Sequence, residues 1–242
     1  MDAKTPAYDV RNHEVVSNED WTRARKALLV KEKEFTKARD ALSQARRDLP
    51  WERVAKPYAF DGPDGKKTLA ELFGDSDQLI IYHFMFDENE DEGCKHCSFW
   101  ADTFNGIPLH LRARDTAFVA ISRVPFAKIE AYRKRMGWGF RWLSSYDTDF
   151  NRDLGVTFTE DEIENGRALY NYELQDSPDT EREGISVFFK DGEGYVYHTY
   201  SAYARGIDIV NGAYNFLDLT PKGRDEGDGP QRWVRRHDEY AG

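Results

Sequence analysis

The distribution of apolar and polar positions divides the chain into a thin-striped helix, an alternating α/β region and a polar tail. From Ser17 to Asp48, Trp21, Ala24, Leu28, Phe35, Ala38, Leu42 and Ala45 recur every three or four residues on a charged background. That spacing predicts one long helix, with Ser17 as N-cap and Leu49-Pro50 as its stop. Such a narrow stripe suits either a solvated helix laid across a domain or a dimer arm. Residues 1–16 read as a loose lead-in. Trp51 to Phe60 is loosely alternating and extended, and Asp61-Gly62-Pro63-Asp64-Gly65 predicts a hairpin turn. Thr68 to Gly74 is a short helix capped by Thr68.

Leu79 to Phe86 is an almost unbroken run of aliphatic and aromatic residues, which predicts a central strand covered on both faces. The acidic loop Asp87 to Gly93 follows, and then helical spacing through Phe99, Trp100 and Phe104 until Gly106 and Pro108 interrupt it. Ile107 to Arg114 continues as a second helical piece. Thr116 to Ser122 predicts another buried strand, and Phe126 to Met136 an amphipathic helix opened by Pro125. Trp138, Phe140, Trp142 and Leu143 form an aromatic cluster that includes a short strand, and Asn151 to Gly155 is a helical turn. Residues 157–183 are acidic and weakly periodic, an insertion. Gly184 to Lys190 and Tyr195 to Tyr200 flank the turn Asp191-Gly192-Glu193-Gly194 and predict an antiparallel hairpin. Arg205 to Leu217 reads as a closing helix, and Thr220 to Pro230 as a loop. The terminal segment 231–240 either docks through Trp233 and Val234 or offers a basic contact to a partner. Three parts follow: an N-terminal helical extension (1–50), a main domain (51–219) and a tail (220–242).

Composition narrows the chemistry. A content of 40% hydrophobic residues can fill a core, and 34 Lys and Arg against 44 Asp and Glu give a net charge of −10, which argues against a general nucleic-acid role. No apolar run approaches membrane-spanning length, and the first residues lack a signal peptide's apolar region. A cytoplasmic protein without membrane association is expected, in which a cysteine pair would cycle or stay reduced.

The chain contains 2 cysteines, Cys94 and Cys97, set three apart where strand gives way to helix. Unpaired backbone N–H groups and the helix dipole favour an anion there, and the thiolate is the attacking species in disulfide exchange. Cys94 is the candidate nucleophile and Cys97 the resolving thiol. His96 and Lys95 between them would favour the thiolate, whereas the acidic loop would oppose it or merely be solvated. A metal site is the rival reading. It wants four ligands, and His83, His96 and His198 show no ligand spacing, so neither metal nor cofactor is expected. His83 inside its strand reads as a hydrogen-bonded core histidine.

The order strand, Cys-bearing helix, strand, helix, insertion, hairpin, helix predicts an α/β fold. It is a thioredoxin-like mixed sheet flanked by helices, with a long N-terminal helix and an insertion before the final hairpin. The stretches DGPDGKKTLAELF, QLIIYHFMF, EGCKHCSFWAD, SRVPFAKIEAYRKRMGW, SSYDTDFNRDLGV and HTYSAYARGIDIVNGAYNFLDLTPKGRDE carry a resemblance over nearly the whole chain. They resemble a bacterial thioredoxin-like family of unknown function, described as predicted dithiol–disulfide oxidoreductases. The Cys-x-His-Cys centre is similar to that of oxidising thioredoxin relatives, which implies that His96 lowers the pKa of Cys94. Two features depart from thioredoxins. No proline precedes the strand at Gly184-Ile185-Ser186-Val187, where a cis-proline would help dock substrate, and Gly93 stands where a tryptophan would precede the first cysteine.

The resemblance implies a thiol–disulfide oxidoreductase acting on a protein or small-molecule disulfide or thiol, with catalytic Cys94, Cys97 and His96. Ser186 and Ile185 are expected on the substrate side, with Arg123 as a further candidate. A thiol peroxidase is the alternative, although the Pro-x-x-x-Thr-x-x-Cys pattern is missing before Cys94. A non-enzymatic redox-sensing or metal-carrying protein is the third reading. The N-terminal helix offers a route to a homodimer.

Overall fold

The computed structural model describes residues 12–175, 179–227 and 229–240. Residues 1–11 of the expected lead-in, 176–178 of the insertion and 228 of the tail loop lie outside them. Two compact units divide the chain, Met1–Pro50 and Trp51–Gly242.

The first unit is built on α1 (Asn18–Arg47). The Ser17 side chain caps it by accepting from the Asp20 N–H at 3.2 Å. Glu19 and Asp20 lie in its first turn and Arg46 and Arg47 in its last, the arrangement the helix dipole favours. Its stripe residues Trp21, Leu28, Phe35 and Leu42 are exposed.

The second unit holds an eight-stranded mixed sheet in the order β1-β10-β9-β4-β5-β6-β2-β3. The strands are β1 (Glu52–Arg53), β2 (Ala59–Gly62), β3 (Gly65–Thr68), β4 (Gln78–His83), β5 (Thr116–Ser122), β6 (Trp142–Ser144), β9 (Gly184–Lys190) and β10 (Val196–Tyr203). β4 runs parallel to β5 and antiparallel to β9, which pairs in turn with β10. This four-strand centre, crossed by α3 (Lys95–Ala101) and α5 (Phe126–Arg135), has thioredoxin-like topology. The β2–β3 hairpin extends the sheet beyond β6. Four short helices complete the layers: α2 (Leu69–Leu72), α4 (Ile107–Arg112), α6 (Phe150–Asp153) and α8 (Gly212–Leu217).

Alternation along β4 sends its side chains into two cores. Leu79 and Ile81 join Phe60, Leu72, Phe150 and Phe188 on one face. Tyr82 joins Cys97, Trp100, Phe104 and Trp142 on the other. Burial on both faces is why the sequence reads as a continuous apolar run.

Three elements differ from expectation. β4 ends at His83; Phe84 still donates to the Ile121 carbonyl of β5, but Met85 and Phe86 leave the ladder because their backbone groups serve the cysteines and Glu181. The closing helix is broken into a 3₁₀ segment, Ala204–Val210, and α8. Asn211 makes the break, and its side chain caps α8 through the Tyr214 N–H at 3.0 Å. The described part of the insertion carries regular structure as well: α7 (Glu160–Glu164) precedes a small hairpin of β7 (Ala168–Tyr170) and β8 (Glu173–Gln175). Its turn places Asn171 and Tyr172 at φ 52° and 68°. Glycine usually marks such a turn, and a tyrosine there hides it from sequence patterning.

Candidate functional site

Cys94 is the N-cap residue of α3, and Cys97 lies in its first turn. The Cys94 N–H donates to the Met85 carbonyl at 3.1 Å. The Met85 N–H donates to Cys97 Sγ at 3.4 Å. The segment leaving β4 thus holds both cysteines by main-chain contacts. They stand 4.1 Å apart and unbonded, with Cys94 partly exposed and Cys97 buried.

The two thiols are pushed in opposite directions. Cys94 lies well below the ordinary thiol range. The Cys97 thiol faces it, and His96 and the Cys97 N–H add to the effect against the cost of burial. Cys97 is held well above that range by burial first and then by its contact with Cys94 and that sulfur's charge. The structure therefore brings Cys94, His96 and Cys97 together. Lys95 is not among the leading influences on either thiol.

Beneath Cys97 lies Tyr82 of β4. Its side chain is fully buried. Its hydroxyl has no well-formed hydrogen bond in the reduced protein, and the group it meets is the Cys97 side chain. Burial, and then the charge Cys97 can carry, push the Tyr82 phenol well above its ordinary range.

The other expected residues stand elsewhere. Ile185 packs in the same cluster as Cys97 and Tyr82. Ser186 is fully buried and bonds His83 Nε2 at 2.9 Å and Ser201 Oγ at 2.8 Å. Alternation turns it to the sheet face opposite Ile185, so it presents no surface to a substrate at the cysteines. Arg123 pairs with Asp87 at 2.8 Å and Glu181 at 3.0 Å, and Glu181 accepts from the Phe86 N–H at 3.0 Å. This cluster ties the insertion and the acidic loop to the end of β4, and Arg123 is engaged in it. Burial raises the Glu181 carboxyl to about 7, against the opposing pull of Arg123.

No cis peptide occurs among the described residues. At Gly184 an added Cβ would come within 2.6 Å of the Tyr203 ring, so the ring fills the space next to the backbone. Gly93 has a similar origin: a Cβ there would lie 2.7 Å from Phe84 and 2.8 Å from Tyr132.

The tail supplies residues that the sequence did not single out. Arg236 donates to the Gly93 carbonyl and to the Tyr132 hydroxyl, both at 2.9 Å, and pairs with Glu92 at 2.9 Å. Tyr132 shares a 2.9 Å hydrogen bond with Ser98, whose hydroxyl donates to the Cys94 carbonyl at 2.9 Å. Trp233 packs edge-on against Phe99, and His237 meets Asp102 at 2.6 Å. Segment 231–240 is therefore a strap over α3 and the loop before it. Its apolar pair Trp233 and Val234 was the available signal, and Val234 is fully buried.

A second polar feature lies on the opposite face. His83, Ser186, Ser201 and His198 form a hydrogen-bonded chain, the last link 2.7 Å long. It ends at a cleft of about 600 Å³ lined by Lys56, Tyr58, Tyr172, Phe188 and His198 and containing neither cysteine. His83 is held to about 3 by burial and is neutral.

The pattern of the family described as "Bacterial protein of unknown function (DUF899)" matches residues 10–240. No curated protein matches the sequence significantly. Among solved structures, the peroxidoxin BcpB of Mycobacterium tuberculosis is similar at 14% identity and a TM-score of 0.44, covering 67% of this chain and 93% of its own. A peroxiredoxin Q of Xanthomonas campestris shows 17% identity and a TM-score of 0.43, with coverage of 69% and 96%. A structure described as a putative thiol:disulfide interchange protein, DsbE, from Chlorobium tepidum shows 14% identity and a TM-score of 0.39, with coverage of 68% and 100%.

Proposed function

The chain belongs to the bacterial family of unknown function matched over residues 10–240, and from that premise we propose that it exchanges thiols and disulfides through Cys94 and Cys97. The observation that supports this reading is the opposed poise of two adjacent thiols, Cys94 lowered and partly exposed, Cys97 raised and buried. The Cys94 thiolate attacks one sulfur of a substrate disulfide. That S–S bond breaks, the distal sulfur leaves as a thiolate, and Cys94 is held in a mixed disulfide. Cys97 then gives up its proton and attacks Cys94, releasing the reduced substrate and leaving the pair oxidised. His96 favours the attacking thiolate. Ile185 lies on the substrate side of the pair, whereas Ser186 faces the other side of the sheet and Arg123 is engaged by Asp87 and Glu181, so neither has a part in the exchange.

The substrate class is a protein or small-molecule disulfide, in a reducing cytoplasmic setting. Self-association through α1 belongs to the same proposal: Trp21, Leu28, Phe35 and Leu42 are exposed and lie seven residues apart, the period of a coiled-coil seam.

The test is a redox titration of metal-free protein against glutathione buffers, read by alkylation mass. A single two-electron transition between about −270 and −120 mV supports exchange chemistry. Absence of an intramolecular disulfide at every potential refutes it. Rapid consumption of hydrogen peroxide under the same conditions would reassign the pair to peroxide reduction.

A further inference from the structure

The proposed exchange leaves one step without an evident source of stabilisation. In the reduced protein the Cys94 thiolate, 4.1 Å away, is the acceptor that faces the Cys97 thiol. Once Cys94 is bound to substrate that acceptor is gone, and Cys97 must become a thiolate in a site where its side chain is almost wholly buried. A charge in such surroundings needs donors aimed at it. Two groups meet this sulfur. One is the Met85 N–H, at 3.4 Å. The other is the Tyr82 hydroxyl, which packs in the same core cluster as Cys97 and faces it, fully buried and without a well-formed partner.

A buried phenol without a partner loses the hydrogen bonds it makes to water in the unfolded chain, a loss that phenylalanine would avoid. Tyr82 lies in a wall of rings, 5.0 Å from Phe104 and 6.2 Å from Phe84. That wall would accept phenylalanine by shape. The hydroxyl is therefore the feature that packing leaves unexplained.

Resting on the exchange reading, we propose that Tyr82 is a catalytic residue of the second half-reaction, donating its O–H to Cys97 as that thiol ionises and attacks the mixed disulfide. Atoms and electrons balance. Cys97 loses a proton to water, its sulfur forms a bond to Cys94 Sγ, and the bond between Cys94 and the substrate sulfur breaks. The substrate leaves as a thiolate and is reduced while the cysteine pair is oxidised. Tyr82 keeps its own proton throughout. Together with the Met85 N–H, which already donates to Cys97 in the reduced protein, it forms a two-donor cradle for the buried thiolate, and the Tyr82 bond is the one made in this step.

The experiment mixes the full-length reduced protein with the aromatic disulfide dithiobis(nitrobenzoate) and follows thionitrobenzoate release by stopped flow. Attack by Cys94 frees the first equivalent and attack by Cys97 the second. Tyr82→Phe removes one oxygen and leaves the packing in place, so its urea midpoint is expected to equal or exceed that of the wild type. Its first phase should stay within about twofold of wild type. The second should slow by about 10- to 100-fold, the value of a hydrogen bond to a charged group. Mass spectrometry should then find the mixed adduct on Cys94 accumulating. An unchanged second phase in Tyr82→Phe overturns the role of Tyr82 and leaves the exchange reading intact. Release of a single equivalent by the wild type, with no intramolecular disulfide, overturns both. Equal slowing of the two phases also overturns the proposal, because it points to a general packing effect.

Discussion

Arg236→Ala is the substitution that best tests the strap. The Arg236 side chain is 16% exposed and makes four polar contacts between 2.9 and 3.0 Å: to the Gly93 carbonyl, the Tyr132 hydroxyl, Glu92 and Glu239. Glu92 and Glu239 are partly exposed, so water replaces much of what they lose, and such pairs contribute little. The other two contacts decide the magnitude. Gly93 is buried, and its carbonyl would keep only the long 3.5 Å contact from Tyr132. The Tyr132 hydroxyl would keep Ser98. One buried acceptor left poorly satisfied and one charge-assisted bond lost amount to about 2–4 kcal/mol.

For a chain of this length that loss corresponds to a fall in Tm of about 5–15 °C. The assay is thermal and urea unfolding of the reduced protein at neutral pH, with hydrogen exchange of the Cys94 amide as a local probe. That amide donates to Met85 just beyond the carbonyl that Arg236 holds, so its exchange should speed up more than global stability requires. Arg236→Lys should recover only part of the loss, because an ammonium cannot span the acceptors as the guanidinium fork does. A loss below about 0.5 kcal/mol, the size of an ordinary surface effect, would refute the account, as would full recovery by lysine.

Other substitutions probe neighbouring parts. Gly93→Ala should overpack the Phe84–Tyr132 wall, where a Cβ would sit at 2.7 Å, and lose about 1–3 kcal/mol; a neutral result would show that the rings yield freely. Glu181 carries the pH dependence. Its folded carboxyl titrates at about 7, above its ordinary value of 4.5, so the folded state binds the extra proton between them. Stability should therefore fall as pH rises from about 5 to 8, by on the order of 2–3 kcal/mol, and Glu181→Gln should flatten that component; parallel urea curves for the two proteins would contradict it. Cys97→Ser should trap mixed disulfides on Cys94 while Cys94→Ser abolishes exchange, and turnover retained in both would dismiss the pair. Phe35→Glu in α1 should lower the solution mass if the heptad stripe pairs two copies; an unchanged mass by light scattering would discard that surface.

Much of this architecture was readable because local and tertiary signals agree. β5 and β9 were legible to the residue, as an apolar run ending at Ser122 and a run following the acidic insertion. The cysteines could be placed at the opening of a helix because strand and helix periodicities meet there. What escaped was set by distant partners. Nothing local distinguishes Tyr82 from the other aromatic residues of its run, since its meaning comes from Cys97, fifteen positions on. Arg236 sits in a polar tail and acquires its role by returning to Gly93. Ser186 was the reverse case. Its neighbour Ile185 does join the cysteine side, but a one-residue shift along a strand reverses the face, and the pairing of Ser186 with Ser201 and His83 fixes it on the other.

The two unusual glycines then have one explanation. Gly93 and Gly184 lie where aromatic rings, Phe84 and Tyr132 on one side and Tyr203 on the other, approach the main chain closely enough to exclude any side chain. A proline at position 184 would meet the Tyr203 ring, and a tryptophan at position 93 would meet two rings. The rings therefore leave no room at either position for a larger side chain. With Cys97 and Ser186 buried, Cys94 is the more accessible of the two sulfurs. On the proposed exchange reading, selection among disulfides would take place at Cys94 and the surface around it. On the same reading the buried side of the pair, with Tyr82, Met85 and Cys97, would govern only how quickly a captured partner is released.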